Sequence, residues 1–340
     1  MLVTIVNMTV EEDVKYSTFF FCFFNIYFIE VLDMKNTLFY YYHLTPDKII
    51  KKDNYYYFYI DNFIYYLYPI NRPLEYINEL IMLTRVLTYS NFMRIIFNIN
   101  KESLSIINNH YYILLRTVKN NIFNINDIYN PIYCPKEASN LNLLDHSHWN
   151  NLWSSKIDYF EYQKDYIKMK YKTLYQTLDY FIGLGENAIS YFNAVNSYLS
   201  KEFTDTLVVS RRRVNLTNLS FYNPLNIVID NKARDSAEYL KYLFKTDNYT
   251  YDFLDEFLTN LNYSTYQYGL LIARLLFPNH YFDVYEKIIN ERLSEKEIIK
   301  VLNKTNEYEN FLKYIYNFIN KKKPILKIDW LDSNWHFLLP

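Results

Sequence analysis

The sequence predicts an α+β protein in two lobes, a small β-rich lobe of residues 34–118 and a large, mainly helical lobe of residues 119–340. Three observations carry this expectation. Short runs rich in Tyr, Phe and Ile dominate the chain before residue 118. Apolar residues at helical spacings recur after residue 149. Between the two, a stretch with Pro131 and Pro135 reads as a connecting loop. With 340 residues, half of them apolar, the chain can bury a large core and divide it between two lobes.

Residues 1–33 form a possible N-terminal extension, with Met34 as an alternative start. They contain the only candidate for membrane insertion, "FFFCFFNIYFIEVL" at 19–32. That run is shorter than the roughly 20 residues a span requires and is interrupted by Asn25 and Glu30. Glu11, Glu12 and Asp13 precede it where a signal peptide would be basic.

From Leu38 to Tyr68 the aromatic runs read as short strands, with Asp61-Asn62 as a hairpin turn. Ile77, Leu80, Ile81, Leu83 and Leu87 then mark a helix, and residues 92–118 return to strands around the polar turn Asn100-Lys101-Glu102-Ser103. In the large lobe, residues 153–199 read as two or three helices, broken and capped at Gly183-Leu184-Gly185. Further helices are expected near 236–246, 251–262, 264–276, 281–290 and 307–319, the last running into the solvated basic end 320–324. Pro278 ends one of them, Arg274 and His280 flank a buried apolar run, and Trp330 folds the tail back onto the lobe.

Composition excludes several functions. Thirty-six basic against thirty-seven acidic residues leave a net charge of −1, so no overall field favours nucleic acid or an anionic membrane. The three glycines, Gly183, Gly185 and Gly269, cannot build a Gly-rich phosphate loop. Cys22 and Cys134 are too few for a disulfide framework, and His146 with His148 is at most half of a metal site. The 39 tyrosines read as core and surface filler of the kind A/T-rich codons supply, not as cross-linking or base-stacking residues.

The candidate site is "VVSRRRVNLTNLSFYNPLNIVIDNKARDSAEYL" at 208–240: a β-run, a polar loop, a second β-run ending on an acid, and a helix opened by Asp235. Kinase-like phosphotransferases of the aminoglycoside and choline kinase type carry H-G-D-F-x-x-x-N here, with a metal-binding Asp downstream. Against that pattern Arg211 stands for the His, Arg213 for the catalytic Asp and Val214 for the Phe, while Asn218 and Asp230 match the metal-binding pair. An arginine accepts no hydrogen bond and stays protonated, so Arg213 cannot act as the base. The phosphate-binding lysine expected on a small-lobe strand is missing from "FIYYLYPI", and Lys51 and Lys52 read as a loop before the hairpin. Asn218 and Asp230 remain as possible metal or nucleotide ligands. Arg211, Arg212 and Arg213 are either a solvated charge run or an anion-binding patch, and Asp235-x-x-Glu238 fits a capping box.

Four segments, "LDYFIGLGENAISYF" at 178–192, "DNKARDSAEYLKYL" at 230–243, "LLIARLLFPNHYFDVYEKII" at 270–289 and "LKIDWL" at 326–331, resemble the YutH family of spore coat proteins, relatives of the CotS type. The resemblance runs from about residue 38 to 332. It implies a two-lobed protein-kinase-like, aminoglycoside phosphotransferase-like fold with a degenerate catalytic loop. It also implies a coat-associated pseudokinase with a structural or interaction role, other coat proteins as partners, and neither nucleic acid nor membrane. No cofactor is then expected, or ATP and Mg if the cleft still works. The location is the spore coat where the host sporulates and the cytoplasm otherwise. Two other functions remain open: an active phosphotransferase using ATP-Mg on a small molecule or protein, and a nucleotide- or phosphate-binding switch.

Overall fold

The computed structural model describes residues 34–87, 91–138, 140–216 and 221–332. The expectations for residues 1–33, for Cys22 and for Asn218 lie outside the described residues. The chain divides into two compact units, the first ending at Asn121 and the second beginning at Ile122.

The described part of the first unit begins with a helix where the sequence suggested a strand. Residues 34–42 form α1, which places Met34, Leu38 and Tyr42 one turn apart on its buried face. Aromatic composition argued for β here, but the spacing of four satisfies a helix, and burial outweighs the weak intrinsic preference of Tyr and Phe. Six antiparallel strands follow: β1 (Ile49–Lys52), β2 (Tyr55–Ile60), β3 (Phe63–Pro69), β4 (Arg94–Ile96), β5 (Leu104–Ile107) and β6 (His110–Val118), with α2 (Leu74–Val86) between β3 and β4. The order is β1-β2-β3-β6, and the free edge of β6 is shared by β5 at one end and β4 at the other. Lys51 and Lys52 therefore lie on an edge strand and not in a loop, both exposed. One sheet face carries Tyr56, Phe58, Tyr65 and Leu67 against α1, and Phe58 stacks on Tyr65 with centroids 5.2 Å apart.

Tight turns in this unit do without glycine. Asp53, Asp61, Asn108 and Asn109 all have φ between 49° and 64°, and no glycine of the chain has positive φ. Asn and Asp tolerate the left-handed region better than other side-chain-bearing residues, because their short polar groups bond locally. The two-residue turn at Asp61-Asn62 is as the sequence indicated, with Ile60 paired to Phe63.

The second unit is helical around a two-stranded ribbon, β7 (Leu207–Arg211) with β8 (Ile227–Asn231). Its helices are α3 (Asn126–Tyr129), α4 (Trp149–Tyr162), α5 (Lys164–Lys170), α6 (Lys172–Tyr198), α7 (Ala233–Lys245), α8 (Tyr251–Asn260), α9 (Thr265–Leu276), α10 (Asn279–Ile289), α11 (Glu297–Asn303), α12 (Thr305–Lys322) and α13 (Asp329–Asp332). Helix α9 is buried at every position from Tyr266 to Leu276, including the polar Gln267 and the charged Arg274. Ser264 caps its start, accepting from the Gln267 amide at 3.0 Å.

The expected break at Gly183-Leu184-Gly185 does not occur, because α6 runs through it without interruption. Gly185 serves helix packing: a Cβ there would lie 2.6 Å from Ile157 Cδ1 on α4. Gly269 plays the same part where α9 crosses α6, 2.8 Å from Val195 Cγ2. A glycine inside a helix costs about 1 kcal/mol against alanine, less than close helix contact returns. The tail is held by Ile325, Ile328 and Leu331, all buried, and by the Tyr191 hydroxyl donating to the Leu326 carbonyl at 3.1 Å.

Candidate functional site

The ribbon β7–β8 delivers the candidate residues to one place. Arg211 ends β7 opposite Ile227, and Asp230 stands near the end of β8 opposite Val208. Helix α7 begins three residues after Asp230, and Arg234 with Asp235, then Glu238, then Lys241 follow at about one-turn intervals. Every residue from Ala233 to Leu240 is buried, which puts charged groups where only paired ones are tolerated.

Each of those charges meets an opposite one or a dipole. Asp230, fully buried, accepts from the Trp149 indole at 2.9 and 3.0 Å on its two oxygens, from its neighbour's amide at 2.6 Å, and from Arg234 one turn on. Arg234 also donates to the carbonyls of Arg211 at 2.7 Å and Arg212 at 3.1 Å, fixing the loop that follows β7. Asp235 takes both the amide and the guanidinium of Arg211, each at 2.8 Å. The Arg211 guanidinium lies 4.0 Å from the Phe221 ring centroid. Glu238 accepts twice from Arg274, at 3.0 and 3.1 Å, and Arg274 stacks over Trp149 at 4.8 Å.

The sequence readings of these residues need two corrections. Asp235 does not cap the helix: α7 starts at Ala233 with no side-chain cap, and the Asp235 carboxylate is spent on Arg211. Arg211 is not part of a solvated charge run, being 3% exposed inside that pair. Arg213 is 46% exposed and reaches Asp283 at 3.1 Å, with Glu238 3.9 Å away. Lys156 extends this outer layer, 3.1 Å from Glu286. Arg212 is half-buried and makes no ion pair among the described residues.

The charges set the local acidities. Burial raises the Asp230 carboxyl, with Arg234, Arg274 and the Trp149 indole pulling the other way. Burial would raise Glu238 as well, but Arg274, Arg213, Lys241 and Arg234 outweigh it and hold the carboxyl down at about 2. Lys241 donates to the carbonyls of Arg274 at 2.6 Å and Phe277 at 2.8 Å, and burial lowers it to about 7. His146, beside Arg234, Arg212 and Arg274, is depressed to about 4 by burial and by those cations. His280 falls to about 3, chiefly through burial, and its Nδ1 has no partner among the described residues.

A metal would need several free hard ligands at one point. Among the described residues no group of three or more His, Cys, Asp or Glu side chains could hold one. Asp230 fits a metal only if Trp149 and Arg234 let go. Strand β3, from Phe63 to Pro69, contains no lysine. Sequence reasoning passed over Trp149 and Arg234, and it read Glu238 as a helix cap and Arg274 as flanking an apolar run, not as partners in the cluster. Their signal was present: Arg234 stands four residues after Asp230, and Arg274 is a lone cation within an apolar run.

The fold is that of kinase-like small-molecule phosphotransferases. It is similar to an aminoglycoside phosphotransferase from Alicyclobacillus acidocaldarius, with a TM-score of 0.57 and 13% identity over 82% of this chain and 93% of that one. It is also similar to spectinomycin phosphotransferase solved with ADP and spectinomycin, with a TM-score of 0.52 and 10% identity over 85% and 98%. Within that class the chain belongs to the family described as "Spore coat putative kinase YutH", whose model matches residues 35–315. It is 28% identical to the endospore coat-associated protein YutH of Bacillus subtilis over 208 residues, 54% of this chain. The matched region spans 61% of that relative's length.

Proposed function

We propose that this protein is a spore coat component with a structural or interaction role and that it does not transfer phosphate. Its location would be the coat, following the coat-associated relative, and its partners other coat proteins. The observation that carries this reading is the state of Asp230. The carboxylate standing where the metal-binding acid belongs is wholly buried, and both oxygens accept from side chains of the same unit. Phosphoryl transfer depends on charge compensation by metal and on a carboxylate near the acceptor hydroxyl. Here the first is supplied to Asp230 by an arginine, and the second position is Arg213. The anion-binding alternative rests on Arg212 alone, because Arg211 and Arg213 are engaged with Asp235 and Asp283.

The test is thermal unfolding of the full chain with and without millimolar ATP and magnesium, alongside an assay of ATP consumption. A ligand that binds only the folded state raises stability by RT ln(1 + [L]/Kd). The expected result is no shift and no turnover. A shift abolished by Asp230→Asn would restore the nucleotide-binding reading, and turnover would overturn the proposal.

A further inference from the structure

Helices α4 and α5 present an apolar stripe on the side facing away from the second unit's core. Leu152, Tyr159, Tyr162, Tyr166 and Met169 are 49, 44, 88, 53 and 92% exposed. Their intervals of seven, three, four and three residues keep to the seam of a heptad pattern. The helical ladder continues through the joint between α4 and α5: Gln163 has αR dihedrals, its amide donates to Tyr159 and its carbonyl accepts from Ile167. Trp153, Ile157, Phe160 and Ile167 occupy the opposite, buried side. Two helical turns with Tyr162 and Met169 almost fully in water are more apolar surface than a solvated helix carries.

The charges beside the stripe select what covers it. Lys156, paired to Glu286, and Lys170, whose ion pair with the exposed Glu291 can be exchanged, flank one side; Asp158 and Asp165 flank the other and have no ion-pair partner among the described residues. We propose that the stripe is a self-association surface, on which a second copy of this chain lays its own α4–α5 segment in parallel about a two-fold axis. In that arrangement Asp165 of each copy faces Lys170 of the other, five residues further on, the spacing by which parallel helices pair their flanking charges. An antiparallel arrangement would oppose lysine to lysine and aspartate to aspartate. Tyr159 is already oriented, its hydroxyl accepting from Gln163 Nε2 at 2.7 Å. The seam extends about 25 Å, shorter than a standard interface, so the dimer dissociates in the micromolar range.

Sedimentation velocity of the full chain between about 1 and about 100 µM tests this, since that range brackets a micromolar constant. The expected result is a concentration-dependent monomer–dimer equilibrium, abolished by Tyr162→Glu with Met169→Glu while the melting temperature holds. In a Cys22→Ser, Cys134→Ser background, Tyr162→Cys should form a disulfide-linked dimer under oxidising glutathione. A mixture of Leu152→Cys and Met169→Cys chains should give 152–152 and 169–169 pairs and no 152–169 pair. A monomer throughout the range, a dimer indifferent to the two glutamates, or cross-linking of 152 to 169 would each overturn the proposal. A monomer whose stripe captures a different protein would do so as well.

Discussion

The two units bury different chemistry. In the first, the buried polar residues among those described are Asn98 and Ser105, neither charged, and the sheet closes on α1 through aromatic rings. In the second, every charged residue that is buried among the described residues falls between Arg211 and Arg274, around one ribbon and the helix after it. A chain so rich in Tyr, Phe and Ile has apolar groups to spare for a core, and replacing buried ion pairs by apolar groups is often neutral or favourable. The second unit nevertheless keeps several such pairs, Arg211 with Asp235, Arg234 with Asp230 and Arg274 with Glu238.

Conservative substitutions should separate the two units most sharply. Asp230→Asn changes almost no volume but leaves Arg234 buried without its counter-ion, a loss of about 3–5 kcal/mol. Phe58→Leu, equally buried in the first unit, should cost less than about 1.5 kcal/mol. Urea unfolding of both variants measures the difference, and equal losses would erase the contrast.

Acid should act on the second unit first. Glu238 ionises near 2 in the folded chain against an ordinary 4.5, so its stabilisation is complete above about pH 4.5 and lost as the pH falls toward 2. His146 and His280, at about 4 and 3 against an ordinary 6.5, take up protons more readily when unfolded, so stability already declines below about pH 6.5. Melting followed by tryptophan fluorescence from Trp149 and Trp153 should therefore fall steadily from pH 6.5 to pH 3. A flat profile would mean that these groups are hydrated.

Smaller effects divide the glycines of α6. Gly185→Ala must displace Ile157 and should cost about 1–2 kcal/mol. At Gly183 a Cβ meets nothing within 4 Å, so Gly183→Ala should stabilise by about 0.5–1 kcal/mol through helix propensity alone. Melting temperatures moving in opposite directions would confirm that only the first glycine is there for packing.

Much of the fold was legible in the sequence, because spacing and turn chemistry act locally. Asp61-Asn62 lies between apolar runs and turns, and Ile77, Leu80, Ile81 and Leu83 share one helix face. What failed were readings in which local preference opposed tertiary contact. The aromatic run at 38–42 looks like a strand until Met34, Leu38 and Tyr42 are seen to meet the sheet, and Gly183-Leu184-Gly185 looks like a stop until α4 packs against α6. At the site, sequence singled out Arg211, Arg213 and Asp230 but not their partners. Asp235 satisfied a capping pattern, and nothing local to residue 235 announces that Arg211, 24 positions earlier, will occupy its carboxylate.

A double-mutant cycle between Asp230 and Arg234 tests the central claim most directly. Asp230→Asn, Arg234→Met and the double variant would be unfolded in urea at neutral pH. If Asp230 is held by Arg234 of the helix that follows its strand, the single losses should not add, and the coupling should reach about 2 kcal/mol or more. Additive losses near zero would contradict the account: Asp230 would then be uncommitted in solution and available to a metal-bound nucleotide.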